Sequence, residues 1–168
     1  NDGEINKIQM LFTQAKISTA YRRTTTAAKE CLKRTGHTSS AIELEDGTIV
    51  TGHSSPLLGC SAALLLNVMK HLAGIDHEKK LIPQSMIEPI QYTKINYLGG
   101  HNPRLHTDEV LVALSVLSEK DENCRHALQQ LPKLRGCQVH CTVMLSEVDR
   151  KIFKKLGVNL TCEPVLKK

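Results

Sequence analysis

Aromatic residues are the scarcest class in this sequence, and their scarcity limits both the core and the choice of partner. They make up 3% of the 168 residues, with three Tyr, two Phe and no Trp. The core must therefore consist mainly of aliphatic side chains. Single-stranded nucleic acid is commonly bound on aromatic stacking platforms, which this composition hardly offers. Because the basic residues behind the net charge of +5 are also scattered, nucleic-acid binding ranks last among the functions considered.

Long apolar runs and targeting signals are missing as well. No stretch approaches the roughly 18 apolar residues of a membrane span, and no signal peptide is visible. With 40% hydrophobic and 23% charged residues, the chain has the composition of a soluble globular protein. Its start at Asn1 rather than Met favours a piece of a longer chain. We therefore expect a cytoplasmic protein with no membrane partner.

The cysteines show no paired metal-binding spacing. Six occur, at positions 31, 60, 124, 137, 141 and 162, and none forms a C-x-x-C pair. We interpret them as reduced thiols that act as small core residues, which favours the cytosol. A metal set of Cys137, His140 and Cys141 is the alternative. Strand alternation places His140 on one face and the two cysteines on the other, so we expect no metal and no cofactor.

The first 38 residues predict a pair of helices that precedes the main domain. Residues 3–16 repeat apolar side chains at helical spacing, and residues 20–34 form a second helical stretch that ends before Gly36. The apolar stripe of the first helix consists of Ile5, Ile8, Leu11, Phe12 and Ala15. We therefore divide the chain into an N-terminal helical segment, 1–38, and an α/β domain, 39–168.

Strand signals in the second segment begin with "AIELEDGTIVTG", a hairpin whose Asp46-Gly47 pair suits a tight type I′ turn. Shorter strands are predicted at "KKLI", at "GCQVHCTVML" and at "VNLT". Helices are predicted between them, one of them interrupted by Pro89 and another capped by Thr107. They cover residues 60–72, 84–97, 108–119, 122–131 and 147–157. This alternation predicts an α/β fold, with helices packed on a mixed sheet.

The hairpin, the polar loop and the helix that begins at Cys60 resemble the start of the cytidine-deaminase fold. That family needs a glutamate two residues after the first zinc ligand, and here the position is Ala62. Its second motif would fall on Pro103, with Arg104 and Thr107 where thiolates should stand. One ligand of three does not hold catalytic zinc. The resemblance implies a three-layer α/β/α topology without deaminase activity.

The chain also resembles the C-terminal part of a bacterial family of uncharacterised proteins, domain-of-unknown-function family 1846. The matching strings span about residues 41–165, and the first two helices match more loosely. They are "AIELEDGTIVTG", "LLGCSAALLLN", "MIEPIQ", "NPRLHTDEVLVALS", "LPKLRGCQVHCTVMLSEVD" and "FKKLGVNLTCEPV". The resemblance implies a larger N-terminal region with a P-loop-like stretch that this chain lacks. It implies no established reaction.

The loop "GGHNPRLHTDE" is the strongest candidate ligand site. Asn102, Arg104 and His106 precede the amino end of a predicted helix, where free N–H groups attract anions. Arg104 adds a planar fork of donors that suits a phosphate or carboxylate. The alternative is that Asn102 and Arg104 only tie the loop to neighbouring backbone.

Two further stretches supply candidate ligand-binding residues. In the loop "GHSSPLLGC", His53, Ser54 and Ser55 would border a deaminase-like pocket, although a purely structural polar loop is equally compatible. In "LRGCQVHCTV", Arg135 and His140 could reach a ligand at a sheet edge. No acid–base partner for a serine nucleophile is evident nearby, which argues against a hydrolase triad.

The sequence is compatible with two competing functions. The leading hypothesis is an accessory domain that assembles with the N-terminal region of the same protein and contributes part of a ligand pocket. The alternative is an enzyme domain that binds a nucleotide or another phosphate-bearing small molecule with Arg104, His106 and His140. Both are compatible with an anionic small molecule and with a homo-oligomer.

Overall fold

The first helix is longer than the sequence pattern predicts. The computed structural model describes residues 2–165, and its α1 spans Asp2–Thr35 without a break. The predicted pair of helices is therefore wrong, because no Gly or Pro lies between residues 16 and 20 to interrupt the hydrogen-bond ladder. The side chain of Phe12, assigned to the apolar stripe, lies outside the described part of the chain. Gly36 ends the helix at φ +73°.

The predicted hairpin is present, with a different turn. β1 spans Ser39–Glu43 and pairs antiparallel with β2, Ile49–His53. The N–H of Gly47 donates to the Leu44 carbonyl at 2.9 Å. Of the loop residues 45–47, only Gly47 has a positive φ, +87°. A three-residue loop with glycine in the left-handed position replaces the predicted type I′ turn, in which Asp46 would also need a positive φ.

Four strands form one mixed sheet in the order β2-β1-β3-β4. β3 spans Gln138–Cys141 and runs antiparallel to β1, while β4, Asn159–Cys162, runs parallel to β3. The strand predicted at "KKLI" is wrong, because residues 79–82 pair with no strand. Leu81 and Ile82 are nevertheless buried, so their apolar signal reports core packing and not backbone pairing.

Five further helices complete the described chain, at Cys60–Leu72 (α2), Gln84–Tyr92 (α3), Thr107–Leu117 (α4), Glu122–Leu128 (α5) and Glu147–Leu156 (α6). Pro89 does not divide α3. The exposed proline removes one backbone donor, and the helix continues into a π-helical turn, Thr93–Tyr97.

Two helix ends differ from the predicted ones. His106, and not the predicted Thr107, is the residue that precedes α4. The helix predicted at residues 122–131 ends at Leu128, and a 3₁₀ turn, Leu131–Leu134, follows it.

The sheet separates two helical layers, as predicted for an α/β/α fold. α2 packs on β1 and β2, α6 packs on β4, and α4 joins α2 to α6 on that same side. The main core fills this side and contains Phe153, Leu64 and Met69. α1 lies alone on the other side, where Tyr21 meets His140 of β3 edge to face. The deaminase-like topology stays a prediction.

No helix within residues 2–165 combines the length and the apolar character needed to cross a membrane.

Candidate functional site

Two polar loops that the sequence singled out lie side by side. The N–H of Leu105 donates to the Leu57 carbonyl at 3.0 Å, and the N–H of Gly59 donates to the Leu105 carbonyl at 3.2 Å. This pairing joins residues 54–59, before α2, to residues 99–106, before α4. It brings four predicted site residues into one region, namely Ser55, Asn102, Arg104 and His106.

Arg104 and Asn102 make the backbone contacts that the sequence left as an alternative. Nε of Arg104 donates to the Ser55 carbonyl at 2.7 Å, and Oδ1 of Asn102 accepts the Arg104 N–H at 3.1 Å. The terminal guanidinium nitrogens of Arg104 form no hydrogen bond within residues 2–165. The side chain therefore both fixes the loop pair and keeps donors for a ligand, and its ligand role stays a prediction.

The amino end of α4 is occupied by the protein's own carboxylates. The His106 N–H donates to Glu109 Oε1 at 2.8 Å, the Thr107 N–H to Asp149 Oδ1 at 2.9 Å, and the Glu109 N–H to Asp108 Oδ1 at 2.8 Å. These groups are the donors that an anion would use at a helix start. An anion at the loop pair would therefore depend on Arg104 and His106 more than on the helix backbone.

Lys94, which the sequence did not single out, holds this region together. Its Nζ donates to Glu109 Oε1 at 2.7 Å and to the Arg104 carbonyl at 2.7 Å, and it lies 3.4 Å from Nδ1 of His106. Burial raises the pKa of Glu109, but hydrogen bonds from His106 and Lys94 outweigh it and lower the pKa to about 2. Glu109 therefore stays ionised at neutral pH. No local motif signals Lys94, because its partners lie 10 to 15 residues away.

A buried carboxylate joins the starts of three helices. Asp149, in the first turn of α6, is 2% exposed. Its Oδ2 accepts the Ser61 hydroxyl at 2.7 Å, and its Oδ1 accepts the Thr107 hydroxyl at 2.7 Å as well as the Thr107 N–H. Asp149 falls within the helix predicted at residues 147–157. Thr107, which stands where the deaminase pattern needs a zinc ligand, is therefore part of a buried hydrogen-bond network with Asp149 and Ser61.

His53 and Ser54 lie at the end of β2, where their polar groups meet residues that follow α1. The His53 ring stacks on His37 with centroids 5.8 Å apart. Oγ of the buried Ser54 accepts the Thr38 hydroxyl at 3.0 Å. Their predicted ligand role stays a prediction.

His140 faces α1, on the side of the sheet opposite the loop pair. Its Nδ1 lies 2.8 Å from Oγ1 of Thr161, and its ring meets Tyr21 edge to face. Nε2 is buried without a hydrogen-bond partner in the described chain, and the nearest carboxylate oxygen, of Glu163, is 3.8 Å away. Burial lowers the pKa of His140, against the opposing effect of Glu163. His140 is therefore separate from Arg104 and His106, with which the enzyme hypothesis combined it.

Arg135 borders a cavity that we call the α1 cleft. The cleft has a volume of about 970 Å³ and lies between residues 13–20 of α1 and the strand ends. Its charged lining comes from Lys16, Glu43, Glu45 and Arg135. The charge of Glu43 is neutralised by its ion pair with Arg23. The remaining charged groups of the lining are two basic residues, Lys16 and Arg135, and one acidic residue, Glu45. The α1 cleft can therefore receive a polar ligand with negative charge.

A smaller cavity of about 480 Å³ lies under Ser55, between α2 and α3. Its wall is mostly apolar, and Lys70 is its main buried cation. Nζ of Lys70 donates to the carbonyls of His77 and Lys79 at 2.8 and 3.1 Å. Burial lowers the pKa of Lys70. These two bonds give the ammonium a structural role in holding the turn after α2.

Two members of the alternative metal set, His140 and Cys141, lie on opposite faces of the sheet. No three of the His, Cys, Asp and Glu side chains of residues 2–165 are grouped so as to hold an ion. His140 faces α1, whereas Cys141 lies in the core on the other side, as the strand alternation predicted.

Comparison with known proteins gives one consistent result. The family described as "Domain of unknown function DUF1846, C-terminal" matches residues 20–168. The UPF0371 protein cu0538 of Corynebacterium urealyticum is 51% identical over 164 residues, covering 98% of this chain and 33% of the relative. A UPF0371 protein of Streptococcus sanguinis is 40% identical over 165 residues, again 98% of this chain and 33% of the relative. The chain thus spans about a third of the length of these relatives.

Proposed function

Because this chain belongs to the family of the C-terminal domain of unknown function 1846, we propose that it is an accessory domain of a larger cytosolic protein. In this proposal the first half of α1 docks on the region that precedes the domain in the longer relatives. The docked region completes a ligand pocket at the α1 cleft. The observation that carries the proposal is an apolar stripe on the outer side of α1.

The stripe faces away from the sheet. Ile5, Ile8 and Leu11 are 53%, 53% and 64% exposed. At about 100° per residue, they fall on the side of α1 opposite Thr24 and Ala28, which pack on the sheet. The domain's own core therefore cannot bury the stripe. An apolar helix face of this kind is typical of a surface that packs against another element.

The second half of α1 lacks this property. On the same outer side it carries Arg22, Thr26 and Lys29, all exposed. A polar outer side is what a helix at the protein surface requires. The contrast within one helix supports a partner for residues 2–19 and none for residues 20–35.

The proposed partner is the preceding region of the same protein. The relatives are about three times as long as the matched segment, and the family match is described as C-terminal. That match begins at residue 20, close to the point where the outer side of α1 changes from apolar to polar. The apolar half would then belong to the interface between the two regions.

The same interface would close the α1 cleft. Residues 13–20 of α1 form one of its walls, directly after the apolar stripe. Lys16 and Arg135 supply positive charge there, which suits a carboxylate or phosphate group. The ligand proposed for this pocket is therefore an anionic small molecule.

The test compares amide hydrogen exchange of residues 2–19 in the full-length protein and in the isolated chain. We expect exchange at least tenfold slower in the full-length protein, because docking buries the stripe. Ile8→Glu should abolish the difference by placing a charge in the apolar contact. Thr26→Glu is the matched control, since Thr26 lies roughly five turns after Ile8 on the same side of the helix. This variant should keep the difference in exchange between the full-length protein and the isolated chain.

Equal exchange in the two contexts would overturn the docking proposal. A dimer of the isolated chain that Ile8→Glu dissociates, measured by sedimentation, would assign the stripe to a second copy and would overturn it equally.

A further inference from the structure

Three cysteine side chains form a row from the core to the sheet edge. Cys60 begins α2, Cys141 lies on β3, and Cys162 lies on the edge strand β4. Cys141 and Cys162 are partners in the parallel pairing of β3 with β4, so their side chains lie on the same face of the sheet. Hydrogen bonds with Cys162 and Cys60, together with burial, raise the pKa of Cys141 well above its usual value. Within residues 2–165, no disulfide joins any of the six cysteines.

Access from solvent distinguishes Cys162 from the others. Cys60 and Cys141 are 0% exposed, and Cys31, Cys124 and Cys137 are also buried, whereas Cys162 is partly exposed. A soluble reagent therefore meets Cys162 first, with Cys141 directly behind it.

The surroundings of Cys162 favour a negatively charged sulfur. The Cys141 thiol donates to it, and although burial opposes ionisation, the Leu145 N–H and the positive charge of Arg150 add to the stabilisation. Together they lower the pKa of Cys162 to about 6. Burial raises the pKa of Cys124 and of Cys137. At neutral pH, Cys162 is therefore the thiolate of this set that a reagent can reach, and thiolates are the reactive form of cysteine.

We propose that Cys162 is a site of oxidation by hydroperoxides and that Cys141 is the thiol that resolves the oxidised product. The Cys162 thiolate attacks one peroxide oxygen, forming an S–O bond as the O–O bond breaks and hydroxide leaves. The Cys141 sulfur then attacks the sulfenic sulfur, forming the S–S bond as the S–O bond breaks. The proton of Cys141 joins this departing hydroxide to give water, and the hydroxide of the first step takes up the proton that Cys162 lost on ionising. Two thiols are oxidised to one disulfide, and hydrogen peroxide is reduced to two waters.

The resulting disulfide would join β3 to β4 covalently. Edge strand β4 also contributes Thr161, which contacts His140, and Asn159, which lines the α1 cleft. Oxidation would therefore fix the strand that borders both of these features.

The first test labels the full-length protein with a limiting amount of iodoacetamide between pH 4.5 and 9, followed by peptide mass spectrometry. Cys162 should react at least tenfold faster at pH 7 than the other five cysteines of this chain, with a midpoint near pH 6. Cys141→Ala should move that midpoint upward, because it removes the hydrogen-bond donor to Cys162. Cys137→Ser, a buried cysteine next to β3, is the matched control and should leave the rate of Cys162 unchanged.

The second test treats the full-length protein with hydrogen peroxide and maps the products. The expected product is a peptide pair joined by Cys141 and Cys162, and in Cys141→Ser it should be replaced by a sulfenic or sulfinic acid on Cys162. A labelling midpoint above pH 8 for wild-type Cys162, or a rate no greater than that of Cys137, would overturn the reactive-thiolate proposal. Oxidised Cys162 beside an unreacted Cys141 in the wild-type protein would overturn the resolving role.

Discussion

The two faces of the sheet are covered in different ways. On the face covered by α2, α4 and α6, the buried side chains include many large apolar ones, such as Phe153, Leu64, Leu65 and Met69. On the α1 face they are small or polar. Those residues are Ala28, Cys31, Ala41, Thr24, Gln138 and His140.

The same contrast holds for the buried titratable group on each face. Asp149 accepts three hydrogen bonds, from Ser61 and Thr107. His140 has a buried Nε2 without a hydrogen-bond partner in residues 2–165. We infer that the helix-rich face supplies most of the stability, because buried apolar area is the dominant favourable term in folding. The α1 face, with its open cleft, is the side on which the proposed ligand pocket lies.

The largest expected effect comes from matched truncations on the two faces. Phe153→Ala should lower the free energy of unfolding by about 3–5 kcal/mol, because it leaves a cavity in a closed core. Ile17→Ala, on α1, should cost less than about 1 kcal/mol, since Ile17 is already 45% exposed. Chemical denaturation of both variants measures the difference. Equal losses would contradict the assignment of stability to the helix-rich face.

The next effect concerns the buried polar groups. Asp149→Ala should cost about 3 kcal/mol, because it leaves the hydroxyls of Ser61 and Thr107 buried without their acceptor. Gln138→Ala, on the α1 face, should cost less than about 1 kcal/mol, since its side chain lines the open α1 cleft and not the closed core. Thermal unfolding of the two variants checks this order, and a larger loss for Gln138→Ala would reverse the comparison.

The smallest effect is a pH dependence on the α1 face. Burial is the main influence on His140 and lowers its pKa from 6.5, with Lys29 acting in the same direction and Glu163 against it. Tyr21 and Thr161 also contact the ring. Below pH 6.5 the unfolded chain binds a proton more readily than the folded chain, so stability is lost as the pH falls through that value. At pH 8 both states are neutral at this position and the contribution disappears.

His140→Asn should therefore remove part of the stability loss between pH 7 and pH 5, and should change stability at pH 8 by no more than about 1 kcal/mol. Denaturation midpoints across that range measure the effect. Replacement of the exposed His126 by Asn is the matched control. Parallel pH profiles for wild type and His140→Asn would exclude a contribution from His140.

Local signals were sufficient to predict much of the fold. The hairpin between residues 40 and 52, the apolar α2 and the Ser146-capped α6 all follow from patterns confined to a few neighbouring residues. The family resemblance was confirmed by the match over residues 20–168. The predicted break in α1 and the strand at "KKLI" failed, because short apolar or polar stretches do not specify a backbone partner.

The site was less predictable, since its contacts join distant parts of the chain. Asp149 and Ser61 are separated by 88 residues, and Arg104 and Ser55 by 49. The sequence correctly indicated that His140 and Cys141 lie on opposite faces, because strand alternation is a local property. It gave no sign of Lys94 or of the row formed by Cys60, Cys141 and Cys162.

The continuity of α1 also fixes how the sheet is rotated about the helix axis relative to the first turns of α1. A helix of 34 residues is a rod about 50 Å long, and Asp2–Thr35 contains no joint at which one end could turn independently of the other. A contact that fixes the first turns of α1 therefore also fixes the rotational position, or phase, of the sheet about the axis of α1. One residue inserted near Ser18 would advance that phase by about 100°, and an insertion of about eighteen residues would restore it.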